Sequence, residues 1–191
     1  MITKDLLGYL SVFFTLLSGV PYIFSVLKGR TKPHVFTWII WALLSAIAAA
    51  AQYTGNAGPG AWATECSATV SLVIAVLSFS HGERDITLTD WVAFAGGLTA
   101  ILLWYLTSNP LMGSLLATAS DASGYYPTFR KSYKKPKEEM ILSYVASNMK
   151  HVASICAMTI YSATTLAYPV IIFGMNCGLI FLLIWRRRKT R

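Results

Sequence analysis

The sequence predicts an all-α integral membrane protein with seven transmembrane helices in a 3+1+3 arrangement. Of its 191 residues, 55% are hydrophobic and 13% are charged, and the mean hydropathy is +0.54. A soluble domain carries about 25% charged residues, so this composition is typical of a chain that lies in a bilayer. Apolar runs of the length that spans a bilayer, about 20 residues, recur along the chain. The loops between these runs are short, and no catalytic domain fits outside the membrane.

Seven apolar runs are predicted as spans, and they are separated by turn-forming or charged segments. The second run ends at TGNAGPG, the third at HGERD and the fourth at TSNP. The fifth and sixth runs are the least apolar, because they contain Asp121, Asn148, Lys150 and His151. In chain order the predicted spans are 6–27, 35–53, 61–79, 91–106, 111–129, 140–161 and 168–185.

The basic residues predict the orientation of the chain. With seven spans, three loops and the C-terminal tail lie on one side, and they hold every Lys and Arg except Lys4 and Lys150. Since positively charged loops face the cytoplasm, the N-terminus is predicted outside and the C-terminus inside, in the inner membrane of the cell. The net charge of +8 then indicates contact with anionic lipid headgroups and not with nucleic acid.

Aromatic residues near the predicted helix ends are interpreted as an interfacial belt. The belt consists of Tyr53, Trp62, Trp91, Trp104, Tyr105, Tyr161, Tyr168 and Trp185.

The chain also contains an internal repeat of helix, proline, basic loop and helix. Aligning Pro21 with Pro127 places Thr15 opposite Asp121, and a parallel alignment after the loop places Ser45 opposite Asn148. Residues 1–80 then form one three-helix repeat, 81–109 a linker helix, and 110–191 a second three-helix repeat. An odd linker helix gives both repeats the same direction in the membrane, which predicts a site at their interface near the midplane.

This plan resembles the PQ-loop and SWEET-like transporter superfamily over nearly the whole chain. The proline–glutamine pair of that superfamily is replaced here by Pro21-Tyr22 and Pro127-Thr128. Residues 31–41 also resemble a TKPHxxTWxxW segment of small bacterial membrane proteins. The resemblance implies transport by alternating access. It further implies a role for Asn176, since sugar-carrying members have an asparagine in the seventh helix.

Two opposite charges are predicted near the middle of the membrane. At about 1.5 Å per residue, Asp121 lies about 16 Å from the outer end of the fifth span, and Lys150 about 18 Å from the inner end of the sixth. Both depths fall near the centre of a core about 30 Å thick. Charges at this depth are costly and by default functional, whereas the alternative is a static Asp121–Lys150 ion pair that fastens two helices.

Three sets of candidate residues follow from these positions. The candidates for binding a solute are Asp121, Asn176, Asn148, Trp38, Trp41 and Glu65. The candidates for proton coupling are Asp121, Lys150 and His151, and the candidate hinges are Pro21 and Pro127. The alternatives are packing for the two tryptophans, a structural hydrogen bond for His151, contact with headgroup-level water for Glu65, and static kinks for the prolines.

We expect a transporter of a small polar solute, which the sequence leaves open among sugars, nucleoside-like and amino-acid-like compounds. A non-transporting membrane receptor or assembly subunit with the same fold is the alternative. The sequence contains no nucleophile–base pattern, phosphate-binding glycine loop or metal-ligand cluster, and its three cysteines have no CxxC spacing. We therefore expect no enzyme activity, cofactor or metal. A homo-oligomer is compatible with the sequence.

Overall fold

The computed structural model describes residues 3–30, 32–82, 88–107, 109–123, 125, 129, 132–133, 136 and 141–189. Within these residues the chain is helical and contains no strand, which confirms the all-α class. The helices are α1 (Lys4–Leu27), α2 (Val35–Thr54), α3 (Trp62–His81), α4 (Leu88–Thr107), α5 (Pro110–Ser123), α6 (Ile141–Ala157) and α7 (Ala163–Lys189), with a 3-10 turn at Gly58–Ala61.

Local sequence signals account for several helix ends. The Thr3 hydroxyl accepts a hydrogen bond from the Leu6 amide at 3.2 Å and caps the start of α1. Gly29 ends that helix with φ +66°, where its amide bonds to the Val26 carbonyl and the Arg30 amide to the Ser25 carbonyl. These two bonds form a Schellman motif, in which glycine adopts the left-handed conformation without steric cost.

Helices α5 and α7 begin with side-chain caps of the same kind. The Asn109 Oδ1 atom accepts from the Leu111 amide at 2.9 Å, and Pro110 occupies the first helical position of α5. At α7 the Ser162 amide donates to the Thr165 hydroxyl at 2.9 Å, while the Thr165 amide donates to the Ser162 hydroxyl at 3.3 Å. This reciprocal pair fixes the start of α7 five residues earlier than the predicted 168.

Among the residues that the structure describes, four helical segments are long and apolar enough to cross a membrane. They are Lys4–Leu27, Val35–Thr54, Gly58–His81 and Ala163–Lys189. The described parts of α5 and α6 comprise 14 and 17 residues, and a straight span needs roughly 20. The number of seven spans therefore stays a prediction.

The bundle exposes many large apolar side chains and buries a number of polar ones beside its apolar core. Large apolar side chains along α1, such as Phe13 and Phe24, are more than half exposed, as are Leu72 and Phe79 on α3. The interior instead buries Ser11, Thr15, Gln52, Thr118, His151 and Asn176. Such an arrangement suits a protein surrounded by lipid, where exposed apolar surface costs nothing and polar groups need partners inside.

The helix contacts follow a symmetric pattern, in which we refer to α1–α3 as the first group and to α5–α7 as the second. In the first group α3 contacts both α1 and α2, and in the second α7 contacts both α5 and α6. Between the groups α1 packs on α6 and α2 on α5, with smaller contacts of α3 on α6 and α2 on α7. When α1, α2 and α3 are exchanged for α5, α6 and α7, every contact named above corresponds to another contact named above. For example, α1–α6 corresponds to α5–α2, and α3–α6 to α7–α2. Helix α4 packs against α2 and α5.

The two groups are joined at one end of the bundle by the connections that precede α3 and α7. The Ser154 hydroxyl donates to the Gly60 carbonyl at 2.6 Å, and the Thr159 amide donates to the Ala57 carbonyl at 3.0 Å. The Thr159 hydroxyl also bonds to the Asn56 carbonyl, and Met158 is fully buried beneath the 3-10 turn. We name residues 56–61 together with 154–159 the end clasp.

Replacing Gly60 by alanine tests the end clasp. A Cβ atom at Gly60 would lie 2.9 Å from the Met158 Cα atom and 2.9 Å from the Ser154 carbonyl oxygen. We expect Gly60→Ala to destabilise the protein by about 1–3 kcal/mol through overpacking, seen as a lower thermal unfolding midpoint in detergent.

Gly174→Ala is the matched control. A Cβ atom at Gly174, in the middle of α7, meets nothing within 4 Å. We expect it to leave the midpoint unchanged or to raise it, because alanine favours a helix by about 0.5–1 kcal/mol over glycine. Equal effects of the two substitutions would contradict the close packing assigned to Gly60.

Candidate functional site

A cavity of about 140 Å³ lies between the two groups of helices. We name it the central cavity. Its walls come from α2, α3, α5, α6 and α7, and its lining contains the predicted charges Asp121 and Lys150 together with Trp41. The other lining residues are Leu44, Ser45, Ser67, Ser71 and Tyr168. The structure thus brings three of the predicted site residues to one place and surrounds them with hydroxyl groups.

Asp121 is held by a hydrogen bond across the interface of α5 and α7. The Tyr168 hydroxyl donates to its Oδ2 atom at 2.9 Å. The Tyr168 ring is 7% exposed and packs with Leu44, Ala117 and Ile172 in a core cluster of α2, α5 and α7. A carboxylate so bonded keeps a fixed position in the wall of the cavity.

The role of Tyr168 differs from the sequence interpretation. Its assignment to the interfacial belt is wrong, because α7 begins at Ala163 and Tyr168 lies within the bundle. One signal in the sequence could have revealed this position. Tyr168, Ile172 and Asn176 are spaced four apart, which places them on one face of a helix, and all three are buried.

Lys150 lines two adjoining cavities. The second, of about 250 Å³, lies among α1, α2, α3 and α6, and we name it the side cavity. It shares Lys150, Ser67 and Ser71 with the central cavity. Its other lining residues are Thr15, Ser18, Gly19, Tyr22, Trp38, Val70 and Ile74. Thr15 and Asp121, which the repeat places opposite each other, thus line neighbouring cavities with Lys150 in the wall of both.

Asp121 and Lys150 do not form an ion pair. Both residues belong to the described part of the chain, and both line the central cavity without a salt bridge between them. The bond that Asp121 accepts comes from Tyr168. The two charges therefore share a cavity without a direct bond between them.

The two tryptophans are divided between the cavities. Trp41 lines the central cavity and Trp38 the side cavity, with their rings edge-to-face at a centroid distance of 5.0 Å. The Tyr22 ring also lies 5.0 Å from that of Trp38. An aromatic wall thus runs from the central to the side cavity.

Asn176 and Asn148 bond to protein groups near the cavities. The Asn176 Oδ1 atom accepts from the Tyr125 hydroxyl at 2.7 Å, and its Nδ2 atom donates to the Ser147 hydroxyl at 3.1 Å. The Asn148 Nδ2 atom donates to the Cys177 Sγ atom at 3.2 Å. Neither asparagine is among the described residues that line the central or side cavity. Their predicted contact with a solute stays a prediction.

His151 is buried beside the central cavity. It is 3% exposed, its ring lies edge-on to that of Tyr168 at 6.2 Å, and its Nε2 atom has no hydrogen-bond partner among the described residues. The side chain is therefore close to the Asp121–Tyr168 pair without bonding to it.

Glu65 lies apart from these residues. It is exposed in a groove between α2 and α3, and its Oε2 atom accepts from the Tyr53 hydroxyl at 2.5 Å. Half of the residues that line the groove are alanines, namely Ala42, Ala46, Ala49, Ala50 and Ala68. The structure does not bring Glu65 together with Asp121.

The prolines have different surroundings. Pro21 lies inside α1, near Tyr22 of the side cavity, and Pro127 falls outside the described residues. A third proline, Pro169, lies inside α7 directly after Tyr168 and was missed by the sequence interpretation. Proline removes the hydrogen bond to the carbonyl four residues earlier, which here belongs to Thr165. The Nε2 atom of the fully buried Gln52 donates to that carbonyl at 3.4 Å.

Comparison of the chain with protein-family models, with curated proteins and with solved structures gave no match.

The Gln52–Thr165 bond can be tested with a double-mutant cycle. Gln52→Leu leaves the Thr165 carbonyl without its donor, whereas Pro169→Ala supplies a new amide for the same carbonyl. We expect the loss of stability from Gln52→Leu to be smaller by about 1 kcal/mol in the Pro169→Ala background than in the wild type. Thermal unfolding midpoints of the four proteins measure this difference, and strictly additive effects would contradict the assignment.

Proposed function

We propose that this protein is a transporter that moves a small polar solute across the membrane. The two three-helix groups α1–α3 and α5–α7 are the moving units, and α4 is the linker that gives them the same direction. The central cavity lies where they meet, and it alternates in access between the two sides. The single observation that carries the proposal is a pair of opposite charges lining a cavity between two groups whose contacts correspond under exchange.

The pattern of contacts supports two repeats in the sense of a 3+1+3 arrangement. A parallel repeat relates its halves by an axis along the membrane normal, so that each contact between the halves occurs twice. The pairs α1–α6 and α5–α2 correspond in this way, as do α3–α6 and α7–α2. The resemblance to the PQ-loop and SWEET-like superfamily points to the same plan.

The charges of the cavity support a transport site over a structural ion pair. A charge placed within a bilayer is costly unless it meets a partner or a wet cavity. Asp121 and Lys150 line a common cavity and are not joined to each other, so their burial is not explained by fastening α5 to α6. Asp121 is the residue that would also carry a coupling proton, with Lys150 and His151 beside it.

The proposed orientation places the end clasp outside and the basic loops in the cytoplasm, within the inner membrane. Pro21 and Pro169 are the hinges that allow each group to bend, because each interrupts the hydrogen bonds of a helix that lines the interior. The end clasp, in which Ser154 and Thr159 bond to the 3-10 turn and the residues before it, then joins the two groups at the outer end.

Uptake into reconstituted vesicles tests the proposal. Vesicles containing the protein are offered radiolabelled sugars, nucleosides and amino acids, and we expect one class to enter faster than into empty vesicles. Asp121→Asn should reduce this uptake by about tenfold or more, because it removes a charged partner from the cavity wall.

Glu65→Gln is the matched control for Asp121→Asn. Both substitutions neutralise an acid of the bundle, but Glu65 faces the groove between α2 and α3 and not the central cavity. We expect its uptake to equal that of the wild type. Equal uptake by the Asp121→Asn variant would contradict the site, and binding of a solute without any uptake would favour a receptor.

A further inference from the structure

We infer that the solute is a small zwitterion of the amino-acid type. Its ammonium group binds Asp121, its carboxylate binds Lys150, and its apolar or aromatic side chain extends into the side cavity. The inference rests on the proposed function, since it assigns the chemical class of the solute to the same cavity.

The balance of charge around the two cavities favours a solute without net charge. Among the described residues that line them, Asp121 is the single acid and Lys150 the single base. A cationic or anionic solute would add an unbalanced charge at a place where water is scarce, and this is unfavourable. A zwitterion and a neutral polyol both add no net charge to the cavities.

The separation of the two charges distinguishes the zwitterion from the polyol. Asp121 and Lys150 line one cavity but form no ion pair, so each retains the capacity for an oppositely charged partner. The Tyr168 hydroxyl donates to Oδ2 of Asp121, and no described residue donates to Oδ1. An ammonium and a carboxylate on one solute bring an opposite charge to each residue through charge-assisted hydrogen bonds, whereas hydroxyl groups bring no charge to either.

Ser71, which is shared by the two cavities, extends the carboxylate site. Ser67 and Ser71 line both cavities together with Lys150. The Ser67 hydroxyl donates to the Ala63 carbonyl at 2.8 Å, whereas the Ser71 hydroxyl can donate to a carboxylate that an ammonium group also binds. The carboxylate therefore has its most suitable position at the junction of the two cavities.

The side cavity has the chemical character of a side-chain pocket. Beyond the junction its wall includes the rings of Tyr22 and Trp38 and the aliphatic side chains of Val70 and Ile74. Its volume of about 250 Å³ exceeds the 140 Å³ of the central cavity. Ligand pockets that combine apolar walls with a few polar groups select both the shape and the orientation of the ligand. Leucine and phenylalanine are suitable probes.

Binding of matched analogues by the wild-type protein provides the first test. L-phenylalanine is compared with 3-phenylpropionate, which lacks the ammonium group, and with phenethylamine, which lacks the carboxylate. D-glucose and uridine represent the neutral polyols. We expect L-phenylalanine or L-leucine to raise the thermal unfolding midpoint, and each analogue to bind at least about tenfold more weakly, because each loses one charge-assisted contact.

Two substitutions assign the charges to their residues. Asp121→Asn should abolish the preference for L-phenylalanine over 3-phenylpropionate, and Lys150→Met should abolish the preference over phenethylamine. Glu65→Gln should retain both preferences, since Glu65 lies outside the cavities. If either variant does not fold, the analogue series on the wild type still decides the question.

The outcomes separate this inference from the proposed function. If glucose or uridine stabilises the protein and is taken up, while no amino acid has an effect, the inference of a zwitterionic solute is wrong and the proposed transport function is supported. Binding of amino acids with the expected preferences but without uptake would support the zwitterion site and overturn transport. If the amino acid and its two analogues bind equally well, the inference is wrong, whether or not any solute is taken up.

Discussion

The structure depends on one constraint: a chain with an apolar exterior has to satisfy its polar groups inside. In lipid, a polar backbone or side-chain group has no water with which to form hydrogen bonds, so it needs a protein partner or a wet cavity. The interior of this protein shows both solutions. Asn176 uses both ends of its amide on Tyr125 and Ser147, and the Ser154 hydroxyl binds the Gly60 carbonyl. Gln52 reaches the carbonyl that Pro169 leaves free.

The charged residues Asp121 and Lys150 show the second of these arrangements, because both line a cavity. Asp121 receives one hydrogen bond from Tyr168, and Lys150 lies in the wall of two cavities. Burying two charges in contact with each other is costly in desolvation, and here both charges instead line a cavity without a salt bridge between them. The same physical requirement that packs the asparagines and serines against each other thus leaves a defined polar site in the middle of the bundle.

The grouping of the helices explains where this site lies. Within each group the third helix contacts the other two, and the groups meet through α1–α6 and α2–α5. The central cavity opens between these contacts, while the end clasp joins the groups at one end through bonds to backbone carbonyls. The central cavity therefore lies between two sets of helices whose contacts correspond under exchange.

The sequence by itself determined the all-α class and the approximate position of each helix, and it predicted a depth near the membrane centre for Asp121 and Lys150. Apolar runs and turn residues are local signals, and rise per residue converts position into depth. Only the tertiary structure decided which polar residues meet. In the folded structure Tyr168 donates a hydrogen bond to Asp121 and does not lie in the interfacial belt. Trp38 and Trp41 line adjoining cavities, and Glu65 lies in the groove between α2 and α3. Those relations depend on how helices rotate and pack against one another, and the period of a single helix carries little information about its partner's orientation.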